Sequence, residues 1–427
     1  MSRANIDLNQ SDGADGSSAA SEYPPGRPFR VALVTETFPP EVNGVAMTWG
    51  KLTQHLGGQG HLLQVVRPRQ LMEASDVHAP ESDLFLTTGL PIPAYPELRF
   101  GLASATCLAR LWTRHRPDIV HAATEGPLGW SAVSAAQRLG IPVSSSFHTN
   151  FEQYSSYYGT GLIKPAVEAY LRMFHNRTLA TLAPTRTMAR SLSDRGFRHT
   201  GVLPRGVDTA QFTPRARSRE LRASWGMDDN GLAVLYVGRL AREKSVGTVL
   251  TAFAAIQSAL PAAKLVIVGD GPMRETLRDL CPQAIFCGVK KGTELAAHYA
   301  SGDVFLFPSL TETFGNVVPE ALASGLAVVS YDRAAAAELI VHGENGLVVE
   351  PGDEARFVSE AVRVAVHANV RDALRRRAVP SIAQMSWDAV ARGFASTLSA
   401  LIEHHARSRT AKPPLVLDGQ DLKQRNA

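Results

Sequence analysis

Short apolar runs closed by glycine, proline or a polar turn alternate with helix-length segments through most of this chain. Strands alternating with helices imply parallel β-α units, in which connecting helices cover a sheet on both faces. The first run, Arg30 to Thr35, leads through Pro39-Pro40 to Gly44 and reads as a buried strand entering a loop. A helix is expected near Val45–Leu56, strands at Leu62–Val66, Ile119–His121 and Val143–Phe147, and a helix near Leu102–His115. Pro204-Arg205-Gly206-Val207-Asp208 and Pro214 then break the pattern. The alternation restarts with strands at Val234–Val237, Leu265–Val268, Val304–Phe307, Ala327–Ser330 and Leu347–Val349. Helices are expected between them at Val246–Leu260, Arg274–Leu280, Glu294–Ala300 and Gly315–Ser324.

The chain has 427 residues, and domains commonly hold ~100–200, so two are expected. Residues 1–27 and 409–427 read as a disordered leader and tail, 28–208 as a first doubly wound α/β domain and 209–385 as a second. Residues 386–408 carry apolar residues at helical spacing (Val390, Phe394, Leu398, Leu401) and read as a closing helix packing toward the first domain. In open α/β sheets ligands bind beyond the carboxyl ends of the strands. Gly238-Arg239, Gly269-Asp270-Gly271 and Ser309–Gly315 all fall there.

Three cysteines, Cys107, Cys281 and Cys287, are too few for a disulfide framework and fit a reducing compartment. No apolar run approaches the roughly 18 residues of a spanning helix. A cytoplasmic protein is expected, with peripheral contact at the inner face of the cell membrane left open. From Pro28 to Arg205 there are 17 Lys/Arg against 12 Asp/Glu, so a net charge of +4 hides a basic first half. Such an excess is usual for a solvated face; it also suits an anionic acceptor or membrane surface.

The strongest local signal is Glu312-Thr-Phe-Gly-Asn-Val-Val-Pro-Glu320. Proline is tolerated only in the first turn of a helix, so Pro319 places a helix start near Gly315. Free N–H groups at such a start suit a diphosphate. Glu312 lies before the start and Glu320 just inside, so both can face one ligand. The second signal is Gly238-Arg-Leu-Ala-Arg-Glu-Lys244, a strand end followed by cations. Fixed cations stabilise a departing diphosphate more in the transition state than in the ground state. No Asp-x-Asp pair or His cluster stands near these loops, so no metal site is expected.

Taken in order, Gly238-Arg239…Glu243-Lys244, Gly269-Asp270-Gly271-Pro272, Phe286-Cys287-Gly288 and Glu312…Glu320-Ala321…Gly325 resemble glycosyltransferase family 4, retaining enzymes of the GT-B fold. In that fold two Rossmann-like domains face each other across a cleft. The first domain agrees: Phe38–Val45 resembles the family's glycine loop, with Gly44 near the donor phosphates, and His148 after Ser146-Phe147 stands where the family places its active-site histidine. The resemblance implies roles. Arg239 and Lys244 would hold the diphosphate and Glu320 the ribose. Glu312, with Phe314, Gly315, Asn316 and Val317, would hold the transferred sugar and phosphates. Backbone at Gly269, Gly288 and Val289 would meet the nucleotide, and His148 the reacting face of the sugar. Thr124, Glu125 and Tyr154 would serve the acceptor, and Arg205, where much of the family has asparagine, a phosphate or an anionic acceptor. Thr124–Gly129, Phe147–Phe151 with its following tyrosines, and Arg205-Gly206-Val207-Asp208 are most similar to the branch of bacterial GDP-mannose-dependent α-mannosyltransferases and sulfolipid synthases.

The resemblance therefore implies a retaining, metal-independent hexosyltransferase without a cofactor. GDP-mannose is the favoured donor and a UDP-hexose the alternative, with a glycolipid, lipid precursor or polyol as acceptor and no nucleic-acid partner. A nucleotide-sugar epimerase shares the fold but lacks this Glu, Arg and Lys arrangement. A non-catalytic nucleotide-sugar-binding assembly partner would have no need of transition-state cations.

Overall fold

The computed structural model describes residues 27–41, 43–70, 83–92, 95–148, 163–228 and 230–410. The expected leader and tail, Tyr154 and the aromatic run Phe151–Tyr158 lie, but for the leader's last residue and the tail's first two, outside these residues.

Two sheets form. In the first, β1 (Arg30–Val34), β2 (Leu62–Pro68), β5 (Ile119–Ala122), β6 (Val143–Ser146), β7 (Ala180–Ala183) and β8 (Thr200–Val202) run parallel. A hairpin of β3 (Asp83–Ile92) and β4 (Tyr95–Leu102) extends it, giving the order β4-β3-β2-β1-β5-β6-β7-β8. The second holds β9 (Ala233–Val237), β10 (Lys264–Val268), β11 (Ile285–Gly288), β12 (Val304–Phe307), β13 (Ala327–Tyr331) and β14 (Leu347–Val349), all parallel, in the order β11-β10-β9-β12-β13-β14. Each order runs out from the first strand and then reverses to its other side. That reversal opens a crevice beside β1 and beside β9 at their carboxyl ends. The central strands are buried on every residue, as covering both faces of a parallel sheet requires.

Several elements depart from the sequence expectation. β3 and β4 were not expected, because Gly89 and Pro91 interrupt their pattern; at a sheet edge such residues are tolerated. β7 and β8 are too short to carry a period. The helix expected at Leu102–His115 spans Ala105–Arg114, with Ser104 capping it through Cys107 N–H and Leu102 ending β4. The helix expected at Gly315–Ser324 spans only Val317–Ala323. Two turns sum few peptide dipoles, so this helix start offers less to an anion than expected.

The chain passes between the two sheets twice, and the passes touch. Val207 N–H donates to the Met385 carbonyl at 2.7 Å, and Val207 bridges Ser386. After the second pass the helix Trp387–Thr410 returns to the first sheet. Trp387, Val390, Phe394, Leu398 and Leu401 join Val31, Leu33, Trp49, Leu52 and Leu56 in one buried cluster. Phe394 meets Trp49 edge-on at 5.8 Å and His121 at 5.1 Å. Edge-to-face rings add to the burial of apolar area. Phe394→Ala should therefore lower unfolding stability by about 3–5 kcal/mol in denaturant titrations, the range for a buried phenylalanine that leaves a cavity.

Candidate active site

Between the domains lies a cavity of about 520 Å³. Thr37, Asn43, Gly44, Val45, His148 and Arg205 wall it from the first domain, and Lys244 and Thr311 to Asn316 from the second.

The first-domain wall begins where β1 ends. Asn43 caps the following helix, α1 (Gly44–Gly58), accepting from Val45 N–H at 3.1 Å and Ala46 N–H at 2.8 Å. Its amide also donates to Thr37 Oγ1 at 2.6 Å. The cap satisfies the open helix end and stiffens the loop around Gly44. His148 follows β6. Its ring stands edge-on to Trp49 at 5.9 Å, and neither ring nitrogen has a hydrogen-bond partner among the described residues. Burial, then the Arg205 charge, hold its pKa well below the ordinary imidazole value. His148 is thus neutral at physiological pH, with one nitrogen to donate and one to accept. Buried polar atoms without partners mark where a ligand's hydroxyls can bond.

The second-domain wall is built around Glu312. Its Oε1 receives Lys244 Nζ at 2.5 Å and Ser309 Oγ at 2.9 Å, and Lys244 also donates to the Thr311 carbonyl at 3.2 Å. Both partners are mostly enclosed, with side chains 18% and 16% exposed. A half-dry ion pair keeps more of its Coulomb energy than a surface pair would. Gly315 bends the chain over Glu312 with φ of +84°, a left-handed conformation that glycine adopts without strain.

The remaining expected positions flank this cavity rather than wall it. Gly238, Gly269 and Gly288 end neighbouring strands: Gly238 N–H donates to Val268 O at 3.0 Å, and Gly269 N–H to Gly288 O at 2.8 Å. A Cβ on Gly269, at φ +137°, would stand 1.9 Å from the Gly238 carbonyl oxygen, so only glycine lets these turns meet. Val289 is exposed beyond them and Val317 packs against the second core. Arg239 is exposed at the end of β9, where its carbonyl accepts from Tyr236 Oη at 3.1 Å. Glu320 accepts from Tyr299 Oη at 2.9 Å, and burial raises its pKa to about 7. Thr124 and Glu125 lie at the end of β5. Thr124 Oγ1 accepts from Glu36 N–H at 3.0 Å. Arg205, expected at a phosphate or an anionic acceptor, lines the cavity with Gly44, Lys244 and Glu312.

Sequence reasoning passed over Glu36 and Tyr299, and met Ser309 only as the first residue of a strand-end loop. Glu36 is 8% exposed, accepts from Leu128 N–H at 3.1 Å at the start of the helix Pro127–Leu139, and is raised by burial to about 7. Single residues of these types carry no spacing signal; only the fold brings Glu36 to Leu128, Ser309 to Glu312 and Tyr299 to Glu320. Among the described residues no group of three or more His, Cys, Asp or Glu stands where it could hold a metal ion. None of the described helices is long and apolar enough to cross a membrane.

The arrangement places a lysine, a guanidinium and a neutral imidazole round one cavity at the carboxyl ends of two parallel sheets. Comparison with known proteins agrees with it. The family model described as "Glycosyltransferase Family 4" matches residues 42–211, and the model described as "Glycosyl transferases group 1" matches 231–366. A GDP-mannose-dependent α-mannosyltransferase of Mycobacterium tuberculosis is 37% identical over 370 residues, covering 84% of this chain and 94% of that one. An α-monoglucosyldiacylglycerol synthase of Streptococcus pneumoniae is 30% identical over 317 residues, covering 71% of each. The structure of a sucrose-phosphate synthase from Thermosynechococcus elongatus superposes with a TM-score of 0.70 at 17% identity, over 88% of this chain and 100% of that one. The chain belongs to glycosyltransferase family 4, and is a glycosyltransferase of the GT-B fold.

Proposed function

We propose that this enzyme moves a mannosyl group from GDP-mannose to a hydroxyl of a glycolipid or lipid precursor, with retention at the anomeric carbon. The observation that carries the chemistry is the inter-domain cavity in which Lys244 and Glu312 face an unpartnered, neutral His148. The similarity to a GDP-mannose-dependent enzyme along nearly that enzyme's whole length supports the donor. A UDP-hexose is the second reading, supported by the likeness to a glucosyldiacylglycerol synthase, whose product also supports a lipid acceptor.

In the reaction the bond from the anomeric carbon to the β-phosphate oxygen breaks and its electron pair stays on that oxygen. Lys244 meets the growing charge, and Arg239 can swing from solvent to join it. The acceptor oxygen attacks the same face of the sugar and its proton passes to the departing phosphate oxygen. No residue need be alkylated. His148, uncharged, can exchange hydrogen bonds with sugar hydroxyls without opposing the positive charge that gathers on the ring. Glu312 takes up a sugar hydroxyl as Lys244 turns to phosphate, and Glu320 accepts from the ribose. The basic excess of the first domain and the exposed Tyr170 and Met173 on the helix Ile163–His175 support peripheral contact with an anionic membrane.

Incubation of GDP-mannose with membrane lipid extract should yield mannosylated lipid, and GDP-mannose alone should stay unchanged; conversion without acceptor would indicate epimerase chemistry instead. Lys244→Ala should cut kcat by about a hundredfold or more, as loss of a transition-state charge partner does; an unimpaired kcat would remove Lys244 from this role.

Glu320 gives a pH dependence. With a pKa of about 7 in the free protein, it is largely protonated below neutrality, and a neutral carboxyl accepts from the ribose more weakly than the carboxylate does. Nucleotide binding selects the carboxylate, so affinity should rise from pH 6 to 8 with proton release on binding. Titration calorimetry in buffers of different ionisation enthalpy reads that proton directly. Glu320→Gln should bind more weakly at pH 8 and lose the pH dependence.

A further inference from the structure

The linker Arg205-Gly206-Val207-Asp208 joins the two domains, and three of its residues hold the linker in place. Gly206 lies against Trp387, where a Cβ would stand 2.5 Å from ring atom Cδ2. Val207 pairs with the returning chain at Met385 and Ser386. Asp208 forms an ion pair with Lys51 at 3.3 Å and accepts from Gln211 N–H at 3.1 Å.

Arg205 makes no such bond. It is 9% exposed, and its Nε has no hydrogen-bond partner among the described residues. Its guanidinium packs on the glycine that opens α1: a methyl added at Gly44 would stand 3.1 Å from Nη1. Across the cavity are Lys244 and Glu312. Burial draws its pKa down to about 10 against the pull of Glu312, so it remains a cation at neutral pH. A structural arginine in the same protein looks different. Arg222, 1% exposed, donates to the Ser301, Asp228 and Gly231 carbonyls at 2.8, 2.9 and 2.7 Å and to Asp303 at 3.1 Å. A buried guanidinium without such bonds is costly to keep, and a stabilising role does not explain it.

We propose that Arg205 is a donor-binding residue: its guanidinium holds the terminal phosphate of the nucleoside diphosphate from the first-domain side of the cleft, opposite Lys244. The inference rests on the reading of this cavity as a nucleotide-sugar site. A planar fork of N–H donors matches phosphate oxygens two at a time, which an ammonium cannot do. Arg205 stands beside Gly44 and across from Glu312, whereas Thr124 and Glu125, the positions expected at the acceptor, do not wall the cavity. The leaving group is then gripped by cations from both domains.

The test compares wild type with Arg205→Met, of similar reach, and Arg205→Lys, using GDP, UDP and inorganic pyrophosphate in titration calorimetry, thermal unfolding without ligand, and steady-state kinetics. Arg205→Met should weaken the preferred nucleoside diphosphate and pyrophosphate by about tenfold or more, the scale of a lost charge-assisted pair. Arg205→Lys should recover part of this loss, and should carry the test if the methionine variant does not fold. The ligand-free melting temperature of Arg205→Met should be equal to or above wild type, because an unpaired buried charge has gone. The acceptor KM should hold steady. Unchanged nucleotide affinity, a shift confined to the acceptor KM, or a lowered melting temperature with affinity intact would each overturn the assignment. Wild-type protein that bound no nucleoside diphosphate would overturn the nucleotide-sugar reading with it, so the two failures are distinct.

Discussion

Charge withdrawn from water must find a partner or be held at a cost, and the cleft of this protein is organised by that constraint. Lys244 and Glu312 answer it by pairing with each other at 2.5 Å, while Ser309 takes a further share of the carboxylate. His148 answers it by staying neutral beside Trp49. Arg205 has only the attraction of Glu312, and its Nε finds no hydrogen-bond partner among the described residues. Everything the site does chemically follows from groups held ready at strength in a half-dry space, where a phosphate's charge counts for more than it would in water.

The fold makes that space by repetition. Each parallel sheet reverses its strand order once, so each offers a crevice at its carboxyl edge, and the two crevices face each other. What holds them so is the double passage of the chain. Val207 meets Met385 and Ser386, Gly206 lies on Trp387, and the last helix returns Phe394 to the core under Trp49 and His121. Trp49 touches both Phe394 and His148. A chain of edge-on ring contacts thus runs from the closing helix to the cavity wall, so the packing that shuts the first core also sets the imidazole.

Sequence alone was most informative where structure is periodic or chemistry is spaced. The central buried strands read correctly because β9 and β12 are apolar at every position, β1 and β10 at all but their first, and each run is short and closed by a turn residue. Gly44, His148, Lys244, Glu312, Phe314, Gly315 and Asn316 were recognisable from motif order, and the fold brings them to one cavity. Less was legible where a property belongs to the tertiary arrangement. β3 and β4 carry glycine and proline that only an edge position excuses. Pro319 suggested a longer helix than the seven residues found, because proline marks a first turn without saying how many follow. Arg205 read as an extra cation for a phosphate or an anionic acceptor, without a means to choose; its packing on Gly44 is a contact across 161 positions that no spacing reveals. Glu36 and Tyr299 gave no signal, because their weight comes from burial beside single partners.

The central claim is that this inter-domain cavity takes a nucleoside diphosphate sugar. A thermal-shift panel of GDP-, UDP- and ADP-sugars tests it most directly, since a ligand that binds only the folded state raises the melting temperature by an amount that grows with the logarithm of its affinity. The account predicts a rise for sugars of one base, GDP in the leading reading, and a much smaller rise when Lys244 is replaced by alanine. No rise with any nucleotide sugar, or an equal rise in the Lys244 variant, would contradict it.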